Sequence, residues 1–347
     1  MNYQVMLSRH RNAVMGLMAV VIVIYHQYLH TNFALYDYTI GRFGSIGVDV
    51  FLFLSGFGVA FSLRKSTSLS VYYSHRLERI LPIYYGYLLV IVVGAVAAMP
   101  FGYRADLASY LFLRLIPVNV WVNVRDGRWY ISAVLGYYVI AALIEPLLRK
   151  SRYLSLTTAL LLIVTAWYIP ALSKMDNVEL AIARIPALVA GLAVGVAAQR
   201  EDCRYNGSWL GLCSLTMLLL ASLAMFIFKK PLLATLFRPL AGEYFTRLRV
   251  TLAAPLLTVV IAYGFEACAR LRLLAVPRLF SHLGRYSLEI YLIHEPVSEL
   301  LHKLPLPTPL FLVLLVLLSY PAARLVRLCA NALLRLWKKL LSRFTLA

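Results

Sequence analysis

The sequence predicts an all-α polytopic membrane protein, a single bundle of about ten transmembrane helices. Three observations carry that prediction. The chain of 347 residues is 61% hydrophobic and only 14% charged, whereas a soluble domain is nearer half apolar and a quarter charged. Its mean hydropathy is +0.77. Its apolar residues also fall in runs long enough to cross the hydrocarbon layer, without the in–out alternation of barrel strands, and only helices or closed barrels satisfy the backbone in lipid.

In order, the runs lie at about 13–30, 44–63, 81–100, 128–148, 154–170, 180–198, 208–228, 250–268, 283–302 and 307–325. The first follows Arg9 and Arg11, is too long for a signal-peptide core and precedes no small-residue cleavage site, so it is expected to remain as a span. Lys and Arg outnumber Asp and Glu 34 to 15, a net charge of +19. The basic residues cluster in short segments between apolar runs, the pattern of topology signals rather than of a nucleic-acid surface. Their distribution predicts both termini in the cytoplasm, with Lys229, Lys230, Arg238, Arg247 and Arg249 as a dissenting outer group. Four cysteines, Cys203, Cys213, Cys268 and Cys329, have no metal or redox spacing, so neither a disulfide nor a metal site is indicated. Residues 1–330 form the expected transmembrane domain. In the tail, 331–347, basic residues (Arg335, Lys338, Lys339, Arg343) continue one helical face while Leu and Trp337 fill the other. That is an amphipathic helix suited to an anionic inner leaflet, or the solvated end of the last span.

Ionisable groups inside spans are expensive and usually functional. In "MAVVIVIYHQYLH", His26 sits toward the far end of the first span, about 22 Å along a helix from Arg11. A neutral imidazole has the donor, the acceptor and the titration range that a general base needs; a histidine bonded to a neighbouring helix is the structural alternative. Asp49, in "GSIGVDVFLFLSGFGVAF", opens the second span. It either orients an imidazole or caps its own helix. Arg76 and Arg79, one turn apart in "YYSHRLERILPIYY", either clamp a phosphate or mark the inner side. Trp129 and Tyr130 open the fourth span as interfacial belt residues or as a stacking surface for sugars. In "HLGRYSLEIYLIHEPV", Ser287 and His294 share a face, and Glu289 points elsewhere, toward a basic group on another helix.

Taken in order, V-x-x-Y-H, G-V-D-V-F-x-F-L-S-G-F, R-x-x-R-I-L-P-x-Y, R-W-Y-I-x-A and L-G-x-Y-S-L-E-I-Y-L-I-H resemble the integral-membrane acyltransferase-3 family, from about Arg11 to Pro296. The resemblance implies about ten spans, acyl-CoA (commonly acetyl-CoA) as cytoplasmic donor, and an acceptor met toward the outer side. That acceptor would be a cell-surface glycan or its lipid-linked precursor, in the bacterial inner membrane. It carries an essential histidine onto His26 and the motif aspartate onto Asp49. The basic residues at the third span's entrance fall on Arg76 and Arg79, which are expected to bind the donor. The serine, glutamate and histidine of the last motif fall on Ser287, Glu289 and His294; these three, with the aromatic pair Trp129 and Tyr130, are the expected acceptor contacts. Many members have an arginine eleven residues before the histidine; here that position is Met15, and Arg11, a turn earlier, stands as its substitute. Members acting on peptidoglycan or certain O-antigens add an outer hydrolase-like domain, which is not expected here. The partners implied are the donor, the acceptor and the bilayer, without nucleic acid, and a homo-oligomer is compatible with the sequence. His26 would act as general base or, alternatively, carry the acyl group as an acyl-imidazole. A transporter or flippase of glycan or lipid intermediates would also explain many spans with buried polar groups, and inverted repeats would mark it.

Overall fold

Apolar runs in lipid leave the backbone no partner but itself, and among the described residues of the computed structural model every regular element is a helix. The structure describes residues 3–27, 44–99, 111, 114–117, 129–150, 176–182, 184–199 and 243–344. The helices are α1 (Tyr3–Tyr25), α2 (Ile46–Lys65), α3 (Leu69–Ala98), α4 (Trp129–Lys150), α5 (Asp176–Ile182), α6 (Ile185–Ala197), α7 (Glu243–Arg270), α8 (Ala275–Gly284), α9 (Ser287–Leu301) and α10 (Thr308–Phe344).

Seven stretches among the described residues are long and apolar enough to cross a membrane, lying in α1, α2, α3, α4, the α5–α6 segment, α7 and α10. The expected spans at 154–170 and 208–228 fall outside the described residues. The remaining one, 283–302, is divided. Its helical part α9 has 15 residues, which rise about 22 Å, short of a hydrocarbon layer about 30 Å thick. The break before it, at Arg285 and Tyr286, is tied down by Arg327 of α10, which donates to the Arg285 carbonyl at 2.7 Å, lies 5.0 Å over the Tyr286 ring and pairs with the buried Glu289. The basic group expected opposite Glu289 is therefore Arg327. Residues 331–344 continue α10 without interruption.

Small residues bring the helices together, as they must where lipid gives little reason for apolar faces to associate. A Cβ built on Gly191 of α6 would fall 1.9 Å from the Phe53 carbonyl oxygen, and one on Gly56 of α2 would fall 2.1 Å from that of Leu188. The α1–α8 crossing is equally close: Gly284 faces the Asn12 carbonyl and Gly16 that of Phe280. Leu143, Leu317 and Leu328 are exposed outward, while Asp49, Arg76, Arg184, Glu289 and His294 are buried. This polarity, apolar outside and charged within, marks the bundle axis as the place for chemistry.

Candidate functional site

α1 ends at Tyr25, and His26 occupies the first turn beyond it, held by a backbone bond from its N–H to the Ile22 carbonyl at 3.0 Å. Its Nδ1 stands 2.6 Å from Nε2 of His294 on α9, with the rings stacked at 4.8 Å and 21°. Nδ1 of His294 faces the Tyr291 carbonyl at 2.7 Å and the Ile290 carbonyl at 3.2 Å. A carbonyl only accepts, so His294 Nδ1 carries the hydrogen. In the neutral ring its Nε2 is then the acceptor, and His26 Nδ1 is the donor. The lone pair of His26 is left on Nε2, facing away from its partner. A backbone carbonyl on α9 thus fixes the tautomer of the histidine just beyond α1 through a second histidine.

The sequence named both imidazoles but did not pair them, because 268 residues separate them. Asp49, its candidate orienter of His26, meets Arg184 instead: Oδ1 lies 3.5 Å from the guanidinium Nε, and both side chains are buried. Arg184 precedes α6, and its guanidinium lies 5.0 Å over the Trp129 ring. Arg184 escaped the sequence reading, although an arginine at the head of the apolar run "IPALVAGLAVGVA" is itself such a signal. Tyr130 is buried against Tyr291, with ring centroids 5.2 Å apart. Trp129 and Tyr130 therefore face inward rather than toward a lipid interface. Arg184 and Glu295 both lie within electrostatic reach of His26. Beside the imidazoles, Ser298 donates to buried Gln27 at 2.7 Å, and His302 approaches the same amide at 3.3 Å. Ser287 is buried at the start of α9, seven residues from His294.

Ligand atoms of His26, His294 and Glu295 all lie within 4.8 Å of one another. Nitrogen ligands about 2.05 Å from a tetrahedral zinc stand roughly 3.3 Å apart. The 2.6 Å between the two imidazoles is the spacing of a shared proton, not of two metal ligands.

At the other end of the axis Arg11, Arg76 and Arg79 converge. Arg76 is buried between the rings of Tyr72 and Tyr138, at 5.5 and 5.3 Å, and donates to the Gly58 carbonyl at 3.4 Å. The Arg11 guanidinium lies over Gly58, whose Cβ, if present, would stand 3.5 Å from it. Arg11 is in electrostatic reach of Arg76, Arg79, Tyr138 and Tyr130. Arg79 is exposed. Among the described residues the buried Nε atoms of Arg11 and Arg76 have no hydrogen-bond partner. Clustered guanidiniums with unsatisfied buried donors have the chemistry that a phosphate-bearing anion would complement. Arg11 therefore stands in this cluster, one turn below Met15. Tyr130 lies within electrostatic reach of Arg11, Arg79 and Arg184.

Comparison with curated proteins and with solved structures gives no match. Residues 13–327 match the family model of an acyltransferase domain. That stretch holds the imidazole pair, the Asp49–Arg184 pair, Arg76 and Arg79, with Arg11 just before it, and it covers most of the 347 residues. The chain belongs to the integral-membrane acyltransferase-3 family.

Proposed function

We propose that this membrane acyltransferase moves an acyl group, acetyl in the family's usual chemistry, from cytoplasmic acyl-CoA to a hydroxyl of a cell-surface glycan or its lipid-linked precursor. The observation that carries the reading is the orientation of His26: its Nδ1 hydrogen is committed to His294 and its Nε2 lone pair is left for a substrate proton. That is the arrangement a general base requires.

The donor's phosphates suit the Arg11, Arg76 and Arg79 cluster, in which, among the described residues, no carboxylate pairs with a guanidinium and the buried Arg11 and Arg76 Nε donors are unsatisfied. The thioester arm then extends along the axis past Tyr130. The rise from Arg11 to His26, about 22 Å on a helix, is comparable with the reach of pantetheine. His26 Nε2 removes the acceptor's hydroxyl proton as its oxygen attacks the thioester carbonyl carbon. The tetrahedral intermediate collapses with cleavage of the C–S bond, and the imidazolium returns the proton to the CoA thiolate. His294 accepts from His26 Nδ1 throughout and stabilises the positive ring. Trp129, Tyr130 and Tyr291 give the acceptor an aromatic surface beside the base, which suits the apolar face of a sugar. The cationic cluster lies at the cytoplasmic end in this reading, and the protein sits in the bacterial inner membrane with both termini inside.

The test is His26→Ala in purified protein that still binds CoA. Loss of the base is expected to slow acyl transfer by about 10²–10⁴-fold. Transfer near the wild-type rate would end the proposal.

A further inference from the structure

Away from the bundle axis, a cavity of about 350 Å³ opens where the start of α1 meets the α7–α8 corner, lined by Arg9, His10, Arg278, Ser281, His282 and Arg285 together with Leu274. The catalytic reading uses none of these groups. The nearby carboxylate, Glu266, is already engaged: Arg9 at 3.3 Å, His10 at 3.0 Å and Arg270 at 3.4 Å surround it. Among the described residues no carboxylate pairs with Arg278 or Arg285, so the cavity keeps a positive excess beside the Ser281 hydroxyl, while His10 Nε2 is engaged by Glu266 and His282 Nε2 by the Tyr320 hydroxyl.

Exposed apolar side chains flank the cavity, beside the exposed Arg270 and Arg272. Leu271 is 71% exposed and Leu279 is 59% exposed, and Leu273, Leu274 and Val276 are exposed beside them. α8 carries Arg278 and His282 one turn apart on the cavity side. A free, fully hydrated anion gains nothing from a rim of leucines, whereas an amphiphile with a phosphate head and two acyl chains satisfies both features at once.

We propose that this cavity seats the phosphate headgroup of an anionic phospholipid, with its acyl chains along the exposed leucines of the α7–α8 corner. Because α8 crosses α1 at Gly16 and Gly284, and α9 follows α8 directly, a lipid seated there braces both helices that carry the imidazole pair.

The experiment measures lipid retention by native mass spectrometry on the purified full chain, with phosphatidylglycerol and phosphatidylcholine titrated separately. The wild type is expected to hold phosphatidylglycerol preferentially. Arg278→Ala/Arg285→Ala is expected to hold it about 30-fold less tightly, from the loss of two cations near an anionic surface. Arg278→Lys/Arg285→Lys is expected to keep most of the preference. A control removing Arg335 and Lys338 from the far part of α10 is expected to leave it unchanged. A wild type indifferent to headgroup charge would overturn the proposal, as would an Ala/Ala variant that still prefers phosphatidylglycerol. The donor itself is the rival occupant: if free CoA displaces the lipid and the Ala/Ala variant shows only a raised donor KM, the cavity serves the nucleotide and the lipid site is refuted. Acyl transfer is assayed on the same preparations, so failure of the lipid site and failure of the proposed reaction are read separately.

Discussion

The imidazole pair makes a prediction that separates orientation from scaffolding. His294→Gln offers a carbonyl oxygen near the position of the lost Nε2 and can still accept from His26 Nδ1; His294→Ala cannot. Both variants are expected to keep the donor KM. The Ala variant should lose a large part of the 10²–10⁴-fold that a base contributes, roughly 10²-fold in kcat, and the Gln variant should recover part of that loss. Equal rates in the two variants would remove the orienting role. Asp49 behaves differently because its buried partner is Arg184. Removing one member of a buried ion pair leaves an uncompensated charge, at about 3–5 kcal/mol. Asp49→Ala is therefore expected to lower the thermal midpoint sharply. Adding Arg184→Met should restore much of the stability, because the orphan charge is gone. A double variant no more stable than the single one would show that the pair is not the tie described here.

At the scale of the element, the close crossings and the corner between α7 and α8 set the geometry. Gly191→Leu would drive a side chain into the backbone of α2, where the first added atom already meets the Phe53 carbonyl at 1.9 Å. The expected destabilisation is at or beyond the 1–3 kcal/mol usual for overpacking, seen as loss of folded protein in detergent. The corner makes the opposite prediction. Arg272 holds φ at +60° and closes α7 with a bond from the Leu273 N–H back to the Cys268 carbonyl at 2.8 Å. This is a helix ending that favours glycine. Arg272→Gly removes a left-handed Cβ clash and is expected to stabilise the protein by about 1 kcal/mol, as a rise in thermal midpoint. A fall would place Arg272 in a contact stronger than that strain.

For the whole molecule, the separation of two polar centres along one axis predicts separable kinetics. Arg76→Ala and Arg79→Ala are expected to raise the donor KM with a smaller change in kcat, since ground-state anion binding is what they are proposed to supply. An unchanged donor KM would leave them as topology signals. The same reading places both termini on the cytoplasmic side. Single cysteines introduced near residues 3 and 344, in a background without the native four, should resist an impermeant thiol reagent in intact cells. Labelling of just one of them would require an odd number of crossings.

Composition, run length and the lack of in–out alternation determined that the chain is helical and spans a membrane, because only helices and closed barrels satisfy the backbone in hydrocarbon and these runs are not barrel strands. Motif order determined the family and put His26, Asp49, Arg76, Arg79 and His294 among the residues to watch. Tertiary structure alone decided which of them meet. His26 and His294 are far apart in the chain, and a run of apolar residues carries no mark of which neighbour a polar side chain will face. The exchange of Asp49 for His294 beside His26 follows from that. The same holds for Glu289 with Arg327 and for Arg184 with Asp49: buried charges must find partners, and these are chosen by which helices pack, α9 on α10 for the first pair and α2 against α6 at Gly56 and Gly191 for the second.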